Sequence, residues 1–475
     1  MIKIFFATTI FILVNFIAFG QDSLSLQQAI ELGIKNNLEV KQANLQMQKQ
    51  GIALKQTKAF MLPDLNASAS HGINQGRSID PFTNGFINQN VNYASYGISS
   101  SVLLFQGSSL QNKIKENNLA YEAGKMEWQQ AKDNLTINII LAYLQILSAE
   151  DLLAQSHTQM LVSDKQIERL KILNTEGTIA PSDLYDLKGQ VANEQLSIAD
   201  NEAAVANAKL TLCQLLNIPY SNNFEVGRLP EESVEMNSAE NPENLYQNSL
   251  KNFAKIKAVH FRSLSAEKAV HSAKGELFPR LYLGGNLNTN YSSVATQSTF
   301  LNASEEPSSN YVNLNGQKLP VVIQQNNFNT SKINYGNQLS NNLFSSINLG
   351  LSIPLFNASQ TRNKIKLAKI DLENNKMVEE NTKIELQQSV ERGFLDVNNA
   401  LHKYKILQEQ VAAFSESFRS ADVRFASGVI TSVDYLIAKN NLNRAEANLI
   451  ITKYNFILRT KVLNYYQGND IENKF

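Results

Sequence analysis

Two stretches of the chain show a helical pattern of apolar and polar residues over an unusual length. Residues 108–174 and 358–427 are rich in Leu, Ala, Glu, Lys and Gln, which favour helix, and neither stretch contains proline. Proline in a helix interior costs about 3 kcal/mol, so its absence permits uninterrupted helices. A helix of about 65 residues would be roughly 100 Å long and needs packed helical neighbours along its length.

Each long helix is predicted to end at a turn that contains glycine and to be followed by another helix. Ser182 is the predicted N-cap after the first turn, and Thr431 or Ser432 takes that role after the second, because hydroxyl side chains accept from free helical N–H groups. The turns and the helices after them are predicted at 175–182 and 183–217, and at 426–432 and 433–466. The pattern therefore predicts two long antiparallel helical hairpins.

Four other segments alternate with a period of two, which is typical of strands. They place apolar residues on one side and small or polar residues on the other, at 65–74, 94–104, 281–291 and 343–355. This pattern matches transmembrane β-strands around a wet lumen, although an antiparallel sheet on a soluble core alternates in the same way. Four strands cannot close a barrel and an open edge cannot face lipid, so several copies would have to contribute. The polar loops 75–92 and 292–341 suit the outer surface.

The two halves of the chain resemble each other at a constant offset of 251 residues. This offset aligns the following positions: Gly177 with Gly428, Ile179 with Ile430, Asp183 with Asp434, Lys188 with Lys439, and 112–115 with 363–366. Pro63 and Pro279 align instead at an offset of 216, which locates an insertion of 35 residues between 281 and 353. We therefore predict a duplication.

The predicted segments follow from this duplication and from the two ends of the chain. They are a signal peptide at 1–20, a first repeat at 21–218, a linker at 219–243, a second repeat with the longer outer loop at 244–467, and a C-terminal tail at 468–475.

The first 20 residues have the features of a secretory signal peptide. Lys3 precedes an apolar run, and Ala18-Phe19-Gly20 ends it with the small residues that signal peptidase requires. Cleavage near Gly20 is predicted, with an uncleaved membrane anchor as the alternative. No later apolar stretch reaches about 18 residues, so no transmembrane helix is expected and any membrane span must be built from strands.

Charge and composition argue against nucleic-acid binding and catalysis. The chain has 475 residues with 43 Lys+Arg and 43 Asp+Glu, so its formal net charge of zero gives no electrostatic attraction to nucleic acid. Cys213 is the single cysteine, which excludes a disulfide framework and a cysteine-ligated metal site. HExxH, GxSxG and GxxxxGK-Ser/Thr patterns are absent. We therefore expect no enzyme, no cofactor and no metal.

Together these features resemble the outer-membrane efflux protein family of the TolC type. The resemblance covers about residues 22–467 and rests on the order and spacing of the elements and on short sequences at matching offsets, 104–107 with 355–358 and Gly428 to Asp434. It implies a membrane β-barrel plus an α-helical barrel, built by a homotrimer with 12 strands and a periplasmic tunnel. It also implies a passive exit duct of a tripartite efflux or type I secretion system.

The resemblance implies partners and a periplasmic gate as well. The partners are a periplasmic adaptor (membrane fusion) protein, an inner-membrane pump of the RND or ABC type, and outer-membrane lipid. Asp434 matches the carboxylate that narrows the periplasmic entrance, where three copies would form a cation-favouring ring, and Asp183 and Asp186 could add charge. Ile437 stands where family members often carry another acid. Alternatively, Asp434 and Asp183 are first-turn acids that stabilise their helix dipoles by about 0.3–1 kcal/mol each.

The hairpin tips are the adaptor contacts that the resemblance implies. They are represented by Gly177 and Thr178 in the first hairpin and by Gly428 and Val429 in the second. A purely structural interpretation is that the glycines permit the tight turns, and both roles can hold together.

Two other classes of protein would also explain long helical hairpins. A non-conducting periplasmic or surface coiled-coil scaffold accounts for the helices but leaves the four alternating strands unexplained. A periplasmic adaptor usually carries one hairpin flanked by halves of a β-domain, whereas this chain has two hairpins with strand pairs between them. The duct is therefore the favoured hypothesis.

Overall fold

The computed structural model describes residues 23–80, 84–229 and 241–466. The predicted signal peptide, residues 230–240 of the predicted linker and the predicted C-terminal tail lie outside the described residues. The helices are α1 (Leu26–Asn36), α2 (Leu38–Ala59), α3 (Ser109–Thr175), α4 (Pro181–Leu216), α5 (Pro242–Asn252), α6 (Ala254–Gly275), α7 (Tyr335–Asn341), α8 (Gln360–Ala426) and α9 (Ser432–Tyr466). The strands are β1 (Asn66–Asn74), β2 (Arg77–Ile79), β3 (Phe86–Asn88), β4 (Val91–Gln106), β5 (Arg280–Ser292), β6 (Thr296–Leu314), β7 (Gln317–Lys332) and β8 (Phe344–Ser352).

The chain divides into two compact units. The first, here called the helical unit, comprises the described residues within 1–50, 119–263 and 373–475. The second, the strand unit, comprises residues 51–118 and 264–372 as far as they are described. The two predicted long helices are present as α3 and α8, of 67 residues each, followed by α4 and α9.

The largest core of the helical unit is built from α1, α3, α4 and α9. Ile139, Tyr143 and Ile146 recur on α3 at helical spacing and are almost completely buried, and Ile30 and Leu216 meet them from α1 and α4. Removing side chains of this size from water stabilises a fold by about 1.5–3 kcal/mol each. Cys213 is also buried, as its apolar surroundings predict.

By length and apolar content alone, α3 contains one window of 18 residues that could cross a membrane. A core helix can satisfy the same two criteria, so the prediction of no transmembrane helix is not contradicted. Most of the apolar residues of α3 between 135 and 147 pack in the core of the helical unit, although Leu141 is exposed.

The strand unit contains a four-stranded antiparallel sheet in the order β1-β4-β5-β8. These are the four predicted strands. Because β1 and β8 come first and last in this order, they form the two outer edges of the sheet. Residues paired across antiparallel strands share a face. On the apolar face, the pairs include Ala67 with Ile98, Ile98 with Leu287, Val102 with Leu283, and Leu283 with Leu349. On the polar face, the pairs include Ser68 with Gly97, Ser95 with Asn290, Ser99 with Asn286, and Gly284 with Asn348.

The predicted loop 292–341 is wrong in detail, because it contains a long hairpin, β6–β7, and the short helix α7. The hairpin turns at Asn315-Gly316, where both residues have positive φ, 54° and 86°. Asn-Gly is a strong signal for a two-residue hairpin turn, since both residues tolerate this backbone conformation. The sequence prediction treated the whole of 292–341 as a polar loop and so overlooked this signal.

The predicted N-cap of α4, Ser182, is also wrong. The helix begins at Pro181, and Ala180 occupies the N-cap without a side-chain hydrogen bond. The fixed φ of proline suits the first helical position, where its missing N–H costs nothing. Pro181 therefore starts the helix two residues earlier than the sequence pattern predicts.

Candidate functional site at the tips of the two helical hairpins

The two hairpin tips lie in the helical unit and share one turn geometry. Gly177 and Gly428 each have φ of +72°, which favours glycine. The next residue closes the turn: Thr178 donates its N–H to the Leu173 carbonyl at 2.9 Å, and Val429 donates to Arg424 at 2.9 Å. This pattern ends a helix by satisfying carbonyls of its last turn. The structural role predicted for the glycines is confirmed.

The tips of the two hairpins are joined by polar contacts. The Ser432 hydroxyl at the start of α9 donates to Asp186 Oδ2 on α4 at 3.0 Å. On the other side, the Arg169 guanidinium of α3 donates to the carbonyl of Ala426, the last residue of α8. Asp186, one of the predicted gate residues, therefore bonds across to the second hairpin.

Asp434 forms a capping box with Thr431 at the start of α9. The Asp434 N–H donates to Thr431 Oγ1 at 3.2 Å. In return, the Thr431 hydroxyl and N–H donate to Asp434 Oδ2 at 2.9 and 3.3 Å. Thr431 is thus the N-cap, one of the two residues predicted for it. The Asp434 side chain is exposed and holds its own helix start, which supports the structural alternative without excluding a second role.

Asp183 lies in the first turn of α4, as predicted. It is half-buried, and its N–H donates to the Ala180 carbonyl at 3.1 Å. A carboxylate in this position interacts favourably with the free N–H groups of the helix start. Asp183 and Asp434 therefore occupy matching turns, but only Asp434 has a hydroxyl partner at its N-cap.

A buried ion pair that no sequence pattern predicts lies behind the tips. Lys439 on α9 has a side chain that is 2% exposed, and its Nζ donates to Glu194 Oε1 on α4 at 2.7 Å. Nζ also donates to the Gln159 carbonyl at 3.0 Å and to the Ser163 hydroxyl, both on α3. The pair thus ties three helices from both hairpins.

Burial dominates the electrostatics of this ion pair. Removal from water lowers the pKa of Lys439, while the carboxylates of Glu194 and Asp164 partly oppose the change. The second carboxylate oxygen of Glu194, Oε2, is buried with no hydrogen-bond partner in the described part of the chain. A buried charge left without its partner is strongly destabilising, so each of these two residues requires the other.

The only sequence signal for this pair was the alignment of Lys439 with Lys188. Tyr435, one turn before Lys439, is also completely buried and contacts Phe418 and Phe425 of α8, with ring centroids 5.6 and 4.7 Å away. The tips are therefore backed by a packed apolar cluster with one ion pair inside it.

A family model described as outer membrane efflux protein matches residues 29–217 and 245–459, which is most of the chain. The chain belongs to the outer membrane efflux protein family. Outer membrane protein TolC of Escherichia coli (strain K12) is 20% identical over 458 residues, which cover 94% of this chain and 83% of TolC.

Solved structures of outer membrane channels show the same fold. The CmeC outer membrane channel of Campylobacter jejuni has a TM-score of 0.73 at 15% identity, covering 93% of this chain and 85% of CmeC. The open state of the MtrE outer membrane channel of Neisseria gonorrhoeae has a TM-score of 0.71 at 16% identity, covering 93% of this chain and 88% of MtrE. The predicted fold class, a helical barrel plus a β-barrel, and the predicted location in the bacterial outer membrane and periplasm are confirmed.

Membership of the outer membrane efflux protein family does not assign roles to single residues. The gate role of Asp434, Asp183 and Asp186, and the adaptor-contact role of the tip residues, remain predictions.

Proposed function

We propose that this protein is the passive outer-membrane exit duct of a tripartite efflux or type I secretion system. The observation that carries the proposal is the four-stranded sheet, which has one apolar face, one polar face and two outer edges. Such a sheet suits lipid on one side and water on the other, but its edges must be paired before it can enter a membrane. Membership of an outer membrane efflux family supports the same function.

The sheet edges favour assembly of several copies. β8 of one copy pairs with β1 of the next in the proposed homotrimer, so that three sheets of four strands close a barrel of 12. Closure removes the unpaired backbone groups that hydrocarbon cannot satisfy. A barrel of that size with Ser, Asn and Gly facing inward would hold a water-filled lumen.

The tips are the proposed docking surface for a periplasmic adaptor, which in turn binds an inner-membrane pump of the RND or ABC type. Val429 has an exposed fraction of 64%, Gly428 precedes it in the same turn, and Gly177 and Thr178 are exposed in the turn of the first hairpin. Exposed apolar residues on a fixed backbone suit a protein partner, because little ordering is needed on binding.

Asp434 is the proposed gate residue, with Asp183 and Asp186 contributing charge. The capping box fixes the Asp434 carboxylate at the helix start, and three copies of it near one axis would attract cations. The charge and the cap are separable, because Asp434→Asn removes the charge while Thr431→Ala removes the hydroxyl partner.

Single-channel recording tests the duct and the gate together. The protein is purified from outer membranes, shown to be trimeric and inserted into a planar bilayer. We expect cation-selective openings that become less selective in Asp434→Asn and keep their selectivity in Thr431→Ala and in Glu176→Ala, an exposed acid of the first tip. Equal changes in Asp434→Asn and Thr431→Ala would assign Asp434 to turn structure alone. No conductance from inserted trimers, even with the adaptor present, would contradict the duct and favour the scaffold.

A further inference from the structure

The short helix α7 packs onto the four-stranded sheet near the end of β5. Thr289 Oγ1 on β5 donates to the Leu339 carbonyl at 2.7 Å, and Asn342 Nδ2 donates to the Asn290 carbonyl at 2.9 Å. Gln338 is almost completely buried and bonds the backbone of Ser292 twice, accepting from its N–H at 2.9 Å and donating to its carbonyl at 3.0 Å. Helix α7 is therefore held firmly against this sheet.

Helix α7 lies on the apolar face of the sheet. Thr289 pairs with Tyr96, and Tyr291, which lies two residues after Thr289, pairs with Ala94. Both pairs lie on the same face of the sheet as the apolar pair of Leu287 and Ile98. The Tyr96 and Tyr335 hydroxyls are 2.7 Å apart, and the rings of Tyr291 and Tyr335 are 4.5 Å apart. In an outer-membrane barrel the apolar face meets lipid, so α7 lies on the lipid side.

The chemistry of α7 suits the boundary between lipid and water. Tyrosine is enriched there because its ring is apolar and its hydroxyl is polar, and three tyrosines meet at α7. The outward residues of α7 include Asn337 and Asn341, which are exposed amides, and the helix carries no charged side chain. Its polar side can therefore form hydrogen bonds with neutral or zwitterionic groups but offers no ionic attraction.

A groove of about 370 Å³ opens beside α7 on the same sheet. Its lining combines the short side chains of Ala67 and Ala69 with the larger ones of Tyr96, Ile98, Leu287 and Leu343, and it also includes Ser68, Gly97, Asn288 and Thr289. A mainly apolar groove of this volume falls in the size range of small-ligand sites. A groove that faces the membrane is in contact with acyl chains, so an acyl chain is the ligand that we expect there.

We propose that this groove binds one acyl chain of an outer-leaflet lipid and that α7 holds the lipid's polar end at the membrane boundary. The occupant follows from the apolar lining, the polar rim at α7 and the outer-membrane location of the family. The proposal rests on the fold and does not depend on whether the protein conducts.

Depth-dependent fluorescence quenching tests the position of α7. Trp128 is the only tryptophan, so Trp128→Phe gives a silent background for single reporters. The reporters are Tyr335→Trp on α7, Ile347→Trp on the apolar face of β8, and Leu319→Trp on β7, all at exposed positions. Each full-length variant is reconstituted as a trimer in vesicles of phosphatidylcholine brominated at shallow or deep chain positions.

We expect Tyr335→Trp to be quenched more by shallow bromine than by deep bromine, and Ile347→Trp the reverse. Leu319→Trp should be quenched by aqueous iodide and by neither lipid. If Tyr335→Trp behaves like Leu319→Trp, α7 is in water and the proposal is overturned.

Lipid retention tests the groove itself. Ala69→Leu puts a larger side chain into the lining of the groove. Ser70→Leu places the same side chain on the opposite face of β1 and is the matched control. After detergent exchange, native mass spectrometry counts brominated phosphatidylcholine bound per trimer. We expect wild type and Ser70→Leu to retain up to three more lipids than Ala69→Leu, with the trimer intact in all. Equal retention in the three proteins would overturn the groove as a lipid site.

Discussion

Lys188 and Lys439 occupy matching positions in the two helical hairpins but have opposite environments. Lys188 is exposed and lies 4.9 Å from the ring centroid of Tyr185. Lys439 is buried and paired with Glu194. The alignment of the hairpins therefore locates both turns but does not fix which face of each following helix is buried.

The helix starts differ in the same way. α9 begins with a capping box between Thr431 and Asp434, whereas α4 begins at Pro181 behind an N-cap, Ala180, that makes no side-chain hydrogen bond. The second hairpin thus supplies the lysine of the buried ion pair, whose carboxylate comes from α4, and it has the stronger helix start. We infer that the second hairpin depends on specific polar partners at its tip more than the first does.

The largest difference between the hairpins should appear when each lysine is replaced by methionine. Lys439→Met leaves the Glu194 carboxylate buried without a charged partner, with only the Gln190 amide donating to it, and should cost about 3–5 kcal/mol. Lys188→Met should change the free energy of unfolding by less than about 0.5 kcal/mol, because that side chain is exposed. Urea unfolding in detergent, followed by the fluorescence of Trp128 in the helical unit, measures both.

A double variant tests the reason for the Lys439 effect. Lys439→Met with Glu194→Met removes both charges and should recover most of the lost stability. If the double variant is no better than Lys439→Met, packing at Lys439 matters and the ion pair does not.

Tyr435, just after the second turn, should also make stability respond to alkaline pH, whereas the matching position in the first hairpin should not. Burial, with Asp422 and Glu194 adding to it, raises the pKa of Tyr435, while the matching residue Leu184 cannot titrate. The unfolded tyrosine loses its proton first, so this stability is present below pH 10 and falls by up to about 1.4 kcal/mol for each pH unit above it. Tyr435→Phe should show a smaller alkaline loss than wild type in urea unfolding, and the exposed Tyr185→Phe should match wild type. Parallel slopes in all three would contradict the prediction.

The long elements could be predicted from the sequence because their signals are local. The lack of proline and the run of good helix formers predict both ends of α3 and of α8 to within two residues. The alternation of apolar and polar residues locates the four strands of the sheet. The positive φ of Gly177 and Gly428 follows from the same kind of signal. These features need no knowledge of the neighbours.

The ion pair and the β6–β7 hairpin could not be predicted from the alternation of apolar and polar residues along the chain. Lys439 and Glu194 are 245 residues apart, and only the packing of α9 on α3 and α4 shows that they meet. β6 and β7 are polar strands without a buried face, so no alternation marks them. Only Asn315-Gly316 marked their turn, and that signal is local.

The glycines of the two tips should be equally sensitive, in contrast to the lysines. An alanine Cβ would meet no atom within 4 Å at Gly177 or at Gly428, so the cost comes only from the left-handed backbone. That conformation costs an L-residue about 1–2 kcal/mol. We expect Gly177→Ala and Gly428→Ala each to lower stability by this amount, with smaller losses for the asparagine variants, in the same unfolding assay. A cost at Gly428 twice that at Gly177 would mean that the second tip carries strain of its own.

The smallest expected effects come from changing the N-caps of α4 and α9, and the two changes in the free energy of unfolding should have opposite signs. Thr431→Ala removes the hydroxyl that caps α9 and should cost about 1 kcal/mol. Ala180→Ser gives α4 a hydroxyl that it lacks and should stabilise by about 0.5–1 kcal/mol. Both are measured by urea unfolding, with Ser182→Ala as the control for removing a hydroxyl that is not at the N-cap. If Ala180→Ser does not stabilise the protein, the N–H groups of the first turn of α4 already have hydrogen-bond partners. The missing side-chain cap would then not make the start of α4 less stable than that of α9.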